Sequence, residues 1–340
     1  MSGVMNVLYQ HDNNYAVYGG VSIFSLFVNN KGADEINVYM IDPGLSDEYK
    51  RDYAKLARKY GRNIYYIPAQ SIIQKVRDLG IPTYRGSYAT YLKVFAIDTL
   101  PDEIGRIFYM DSDTLVLGDL SPLFGMDMEK NAVGMSYDGF SFAVKDIEGF
   151  AGKEPYFCGG TILFDIKAWK EQRCSDRIAE YAANVRSAFF AADQNLLNRV
   201  LKGQITKLDL RYDFYYFHCI YSDKTFLREA GDHIYYSAEE MERARKDIGV
   251  LHFMRFLGEE PWHARSLHPN KKQFEEYLRR SPWKKYEELP AKTSCVFKIE
   301  KMMYVLLPGN VFFKLFIYFF RRNYQAVDKR LREGTQLDVH

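Results

Sequence analysis

The sequence predicts an α/β protein whose mostly parallel central sheet is covered by helices on both faces. Two observations carry this. Short apolar runs rich in Val, Ile and Tyr alternate with segments of helical length and spacing, and 47% hydrophobic residues in a chain of 340 supply a sizeable core. The strand-like runs are 4–10 (VMNVLYQ), 35–41, 63–68 and 106–111 (RIFYMD); the helical patterns between them are 16–30, 46–60 and 87–100. Strands of this kind need cover on both faces, which crossover helices between parallel strands provide. Further strands are expected at 132–137, 161–166 and 205–210, and a helix at 190–203. Segments 138–157 and 211–248, rich in Asp, Gly and Tyr, are expected to form loops and small elements over a site. No repeat of 20 to 50 residues is visible, which excludes solenoids and propellers.

The 46 Lys and Arg nearly balance 44 Asp and Glu, so no broad basic field argues for a nucleic-acid partner. The charge is uneven, however. Residues 292–332 hold nine basic and two acidic side chains, while 1–291 carry a net charge of −3. Within the basic end, 302–320 contain one charge, Lys314, and are interrupted by Pro308-Gly309-Asn310. A freed amide and an Asn would lack partners in hydrocarbon, so the expectation is two short amphipathic pieces lying in a membrane interface, with a span or a plain hydrophobic dimer or domain seam as the alternatives. Lys298, Lys301, Lys314, Arg321, Arg322, Lys329, Arg330 and Arg332 would then meet anionic headgroups. This divides the chain into an α/β domain, 1–290, and a basic aromatic membrane-associating tail, 291–340. Four well-separated cysteines suit a reducing compartment, and neither a signal-like start nor an N-x-Ser/Thr sequon is present. The expected location is the cytoplasm, peripheral on the cytoplasmic face of a membrane.

The strongest local signal is Arg106-Ile-Phe-Tyr-Met-Asp111-Ser112-Asp113-Thr-Leu-Val: an apolar strand delivers two carboxylates where it ends. Open α/β sheets bind ligands beyond the carboxyl ends of their strands, and paired carboxylates there can share a hard divalent ion with phosphate oxygens. A phosphatase of the Asp-x-Asp-Gly-Thr kind is excluded because Thr114 stands where that pattern has Gly. The first strand runs into Asp12-Asn13-Asn14-Tyr15, where Asp12 can accept from a base or ribose and Tyr15 can stack on a base; an ordinary N-capped loop is the alternative. Neither Gly-x-Gly-x-x-Gly nor a P-loop occurs. His252 follows the apolar run Ile-Gly-Val-Leu and offers an imidazole ligand from a strand end.

Taken in order, these segments resemble family 8 of the retaining glycosyltransferases over residues 4 to about 265. The resemblance rests on Asp12-Asn13-Asn14-Tyr15, Ala89-Thr90-Tyr91-Leu92-Lys93, Tyr109-Met110-Asp111-Ser112-Asp113-Thr114, Phe157-Cys158-Gly159-Gly160-Thr161, Asp193-Gln194-Asn195, and His252-Phe253 with Pro261-Trp262-His263. It implies a single Rossmann-like GT-A domain, a UDP-glucose or UDP-galactose donor, and Mn²⁺ with Mg²⁺ as alternative. It also implies that Asp111, Asp113 and His252 hold the metal, that Asp12, Asn14 and Tyr15 meet uridine, and that Lys93, Ser112, Cys158 and Gly159 lie on the diphosphate-sugar. Asp193 and Gln194 would stand at the reacting face. Two departures are evident: Cys158 replaces a usual Asn, and the segment from His252 to Trp262 is two residues longer, with Glu260 in place of a phosphate-facing Lys and Arg255 as the substitute cation. The expected reaction is transfer of a hexose to a lipid-linked or cell-surface saccharide with retention. The alternatives are a catalytically silent sugar-nucleotide-binding scaffold and a glycogenin-like enzyme that labels its own tyrosine. Oligomeric state is left open.

Overall fold

The computed structural model describes residues 3–81, 83, 87–184 and 192–332. Among them are ten strands: β1 (Val4–Gln10), β2 (Glu35–Asp42), β3 (Asn63–Pro68), β4 (Arg106–Met110), β5 (Thr114–Val116), β6 (Val133–Tyr137), β7 (Phe157–Asp165), β8 (Ile205–Lys207), β9 (Phe214–Tyr215) and β10 (Val250–His252). The central sheet has the order β3-β2-β1-β4-β7-β6-β8, and β5-β10-β9 form a second, small sheet. In the central sheet β7 alone runs against its neighbours, pairing antiparallel with both β4 and β6. The mostly parallel sheet expected from the sequence is therefore present.

The pleat sorts side chains between two cores. Val7, Tyr9, Phe108 and Met110 face the core beneath helix Ala16–Asn29 and the small sheet. Leu8, Ile107 and Tyr109 face the other, beneath helices Ala69–Asp78, Ala89–Ala96 and Cys174–Asn184. Helix Ala16–Asn29 is sandwiched between layers, so residues Ala16 through Phe27 are all buried. At Gly20 an added Cβ would lie 2.4 Å from the Trp283 ring, so this helix can be approached that closely only without a side chain there.

Several elements depart from the sequence expectation. Helix Ala69–Asp78 was not expected; Ile72 and Val76 supply its buried stripe directly after β3. The helix expected at 87–100 is Ala89–Ala96 followed by a tight turn, Ile97–Thr99, and β7 begins at Phe157 instead of 161. Within 190–203 the described helix is Ala192–Val200; residues 190 and 191 lie outside the described residues. Segment 211–248 is more regular than expected, with helices Asp223–Ala230 and Ala238–Lys246, the latter opened by a Ser237–Glu240 capping box. Each is too short for its apolar period to stand out in sequence.

The basic end folds as helices Cys295–Leu306 and Gly309–Arg332, broken at Leu307-Pro308 as the proline demands. The second is 24 residues, not a short piece. No described helix is long and apolar enough to cross a membrane. Phe312 and Phe313 are buried against the body, the Phe313 ring centroid 4.1 Å from that of Tyr221. Two expected headgroup contacts are corrected: Arg321 makes a bidentate pair with Asp146 at 2.6 and 2.7 Å, and Lys301 pairs with Glu259 at 2.6 Å. Both cations neutralise carboxylates of the protein itself.

Three histidines are buried as neutral rings. His11 bridges Ser112 Oγ and Tyr53 Oη at 2.8 and 2.7 Å, His218 meets Tyr235 Oη at 2.9 Å, and His268 meets the Phe253 carbonyl at 3.0 Å. Burial lowers their pKa to about 4, 3 and 4 respectively. In the unfolded chain each takes up a proton near pH 6.5, so their contribution to stability is complete above that pH and is lost as pH falls toward 4, at ~1.4 kcal/mol per pH unit for each ring. The urea midpoint is expected to fall steadily from pH 7 to pH 5, less steeply in His268→Gln; a flat profile contradicts this.

Candidate active site

The carboxylate pair sits where the chain passes from one sheet to the other. β4 ends at Met110, Asp111 to Asp113 span the gap, and β5 begins the small sheet at Thr114. There β10 runs antiparallel to β5 with His252 opposite Thr114, and the Phe253 amide donates to the Asp113 carbonyl at 2.9 Å. On its other edge β10 pairs parallel with β9, His252 opposite Tyr215. This register sets Asp213, just before β9, 2.9 Å from His252 Nδ1, while His252 Nε2 lies 3.5 Å from Asp113. One ligand atom each from Asp111, Asp113 and His252 lie within 4.8 Å of one another. From β7, the Gly160 carbonyl accepts the Asp111 amide at 2.8 Å, and an added Cβ at Gly160 would come 2.2 Å from His252 Cε1. Only glycine leaves that space.

The His252 imidazole is disfavoured as a cation by burial, but Asp113 and Asp213 outweigh this and raise its pKa well above the ordinary value. Burial raises Asp111 despite the nearby Lys93; for Asp113 the opposing pull of His252 prevails and its pKa is lowered. Cys158, Asp213 and His252 form a second close group. A hard divalent ion prefers oxygen donors to sulfur, so the oxygen-rich group of Asp111, Asp113 and His252 is the better fit.

A cavity of about 350 Å³ opens over this cluster, lined also by Lys93, Cys158, Gly159, Asp193, Gln194, Arg255 and Glu260. Lys93 is 2.7 Å from Asp193, 3.7 Å from Asp111, and donates to the Gly159 carbonyl at 2.6 Å. Burial works against its charge, but Asp111 and Asp193 hold its pKa well above the usual lysine value. Gln194 is fixed at both ends of its amide: Oε1 accepts from the Gly159 amide at 2.8 Å, and Nε2 donates to Asp138 at 3.1 Å. Arg255 pairs with Glu260 at 3.1 Å, and burial, reinforced by Asp113, raises the Glu260 carboxyl to about 7. The repulsion expected of an ionised Glu260 is thereby reduced.

Four residues expected on the donor lie elsewhere than on this cavity's wall. Ser112 is buried and its hydroxyl is taken by His11 and the Gln10 carbonyl, tying the turn to β1. Asp12 accepts from the amides of Asn14 and Tyr15 at 2.9 and 3.3 Å and from the Asn14 side chain at 3.0 Å, so it organises the loop before helix Ala16–Asn29. Tyr15 is half-buried, edge-on to Tyr18 and Trp262. Sequence reasoning missed Asp213 and Asp138 altogether. Asp213 becomes visible only through the pairing of β9 with β10, and Asp138 only through Gln194; the available signal was that both lie in segments, 211–248 and 138–157, that read as covering a site.

Comparison with known proteins identifies the family. The model of glycosyl transferase family 8 matches residues 6–266. The chain is 25% identical over 300 residues to a lipopolysaccharide 1,2-glucosyltransferase of Escherichia coli (strain K12), covering 87% of this chain and 84% of that one. It is 23% identical over 285 residues to general stress protein A of Bacillus subtilis (strain 168), covering 82% and 95%. The crystal structure of the galactosyltransferase LgtC with donor and acceptor sugar analogues superposes with a TM-score of 0.62 at 24% identity, covering 82% and 96%, and so shares the fold. The chain belongs to glycosyl transferase family 8 and is a retaining glycosyltransferase that moves a hexose from a UDP-sugar to a saccharide acceptor.

Proposed function

We propose that the transfer is metal-dependent, uses UDP-glucose or UDP-galactose, and serves a lipid-linked saccharide at the cytoplasmic surface of an anionic membrane. The observation that carries the metal is the convergence of Asp111, Asp113 and His252, with Asp213 holding His252 Nδ1 so that Nε2 faces the carboxylates. When bound, Mn²⁺ or Mg²⁺ supplies Lewis-acid stabilisation of the departing diphosphate. Lys93 adds a fixed cation beside it, and Asp193, anchored by Lys93 and Thr90, orients sugar hydroxyls by charge-assisted hydrogen bonds. Arg255 provides a further cation at the rim, with Glu260 as its partner.

Retention is best served by same-face transfer. The bond from sugar C1 to the phosphate oxygen breaks with its electron pair leaving on UDP. The acceptor hydroxyl oxygen bonds to C1 from the same side, and its proton passes to the departing phosphate oxygen. Gln194 is a poor nucleophile, being an amide whose Oε1 already accepts from the Gly159 amide, and acts here as a positioning group.

The membrane reading rests on the first tail helix, where Val296, Ile299, Met302, Val305 and Leu306 are exposed, Leu306 by 72%, while Lys298, Arg322, Lys329 and Arg330 are exposed on the two tail helices. Exposed apolar side chains interspersed with cations match an anionic interface. On this reading 1–290 carry donor chemistry and 291–340 carry attachment.

Asp111→Asn and Asp113→Asn are each expected to cut UDP release at least 100-fold with little change in melting temperature, and His252→Ala to cut it as deeply but with a lowered melting temperature, because Asp113 and Asp213 then lose the cation between them. Full activity of Asp111→Asn in thoroughly chelated buffer would sink the metal-dependent mechanism. Asp213→Asn is expected to weaken metal affinity by ~10–100-fold, with turnover recovering at saturating Mn²⁺, as measured by metal titration of UDP release. The full chain is expected to sediment with phosphatidylglycerol vesicles, and replacing Lys298, Arg322 and Arg330 by Gln to weaken this most at low salt. Equal recovery in the supernatant with and without vesicles rejects attachment.

A further inference from the structure

A second cavity, of about 320 Å³, adjoins the donor cavity; Gln194, Met254 and Arg255 line both. Its far wall comes from helix Gly309–Arg332, through Phe316, Phe320 and Tyr324. We infer that this helix builds part of the acceptor subsite, and that the subsite takes a neutral pyranose ring of the acceptor saccharide. The inference rests on the proposed donor site, because it is the shared wall at Gln194 that places the second cavity next to the reacting centre.

The lining has the chemistry of a sugar site. Phe140, Phe316 and Phe320 form an aromatic cluster with ring centroids 5.8 to 6.1 Å apart, Phe316 and Phe320 being stacked. Both tail rings are half-buried, whereas Phe312 and Phe313, one turn earlier, are sealed in the core. Aromatic faces match the C–H faces of a pyranose, and the hydroxyls around its rim require acceptors and donors in fixed positions. Asp138 supplies one such position, held by Gln194 Nε2 and by the Phe140 amide at 2.9 Å. Glu148 supplies another, held by the Tyr324 hydroxyl and the Asn195 amide. Of the two cations among the cavity's described residues, Lys145 donates its ammonium to the Glu154 carbonyl and Arg255 pairs with Glu260, so the mostly apolar lining offers no unpaired charge that would favour an anionic occupant.

The tail helix can serve as a wall because it is pinned independently of any ligand. Arg321 grips Asp146 and the Ala143 carbonyl, and Phe313 packs on Tyr221. These contacts bracket Phe316 and Phe320 within the helix, fixing their rings toward Phe140.

Saturation-transfer NMR on the full chain, with UDP and Mg²⁺ present and methyl β-glucopyranoside or methyl β-galactopyranoside as probe, tests this. At least one pyranoside is expected to receive saturation from the wild type, and the signal is expected to fall at least five-fold in Phe320→Ala and in Phe316→Leu. Phe316→Leu largely keeps the volume of the seam and guards against a folding defect, which melting temperatures read separately. Failure of both pyranosides to bind the wild type, or undiminished binding in both variants, overturns the assignment. UDP release from the UDP-sugars by the wild type is measured in parallel: its absence rejects the metal-dependent transfer, whereas release with undiminished pyranoside binding in the variants rejects only the tail's part in the acceptor subsite.

Discussion

Mutual repulsion among carboxylates is the constraint around which this molecule is organised. Asp111, Asp113, Asp193 and Asp213 crowd around one strand-end turn, with Glu260 at the rim. Two like charges ~5 Å apart repel by roughly 3 kcal/mol at an effective dielectric of about 20, so such a cluster persists only with cations placed among its members. Lys93 stands between Asp111 and Asp193, His252 between Asp113 and Asp213, and Arg255 against Glu260. Asp113 and Asp213 favour a cationic His252, and because Asp213 holds Nδ1, Nε2 is the atom through which His252 would hold a metal ion together with Asp111 and Asp113.

The sheets provide the rigidity that this balance needs. Asp111 leaves a strand of the central sheet and Asp113 enters a strand of the small one, so each is fixed by a different ladder. The antiparallel β7 is essential to this arrangement: it brings the Gly160 carbonyl onto the Asp111 amide and sets Gly159 against the Gln194 amide. Asp193 and Gln194, on helix Ala192–Val200, therefore reach the same turn from the opposite side.

What was legible in the sequence follows from the range of the contacts. β1, β2 and β3 and the pair Asp111 and Asp113 are local patterns, and they appear where the sequence puts them. His252 was visible as a strand-end histidine, but its partner Asp213 lies 39 positions away and meets it only because two very short strands pair in parallel. Helix Ala69–Asp78 and the helices of 211–248 were missed because eight to ten residues hold too few turns for an apolar period to show. Ser112 shows the same limit: its neighbours in sequence face the cavity, while its own hydroxyl is claimed by His11, 101 residues earlier.

The basic aromatic end shows the same limit in its most consequential form. Its composition announces an interface but cannot say which ring faces which partner. Phe312, Phe313, Phe316, Phe320 and Tyr324 turn toward the body, while Val311, Tyr318 and Phe319 remain exposed on the same helix. A helix committed on one side to the protein and open on the other transmits position: whatever surface engages the outer residues fixes the orientation of the cavity wall behind them. On the proposed reading, attachment would do more than raise local concentration: it would align the mouth of the proposed acceptor cavity with the plane of the surface, through a helix already locked to the body by Arg321 and Phe313.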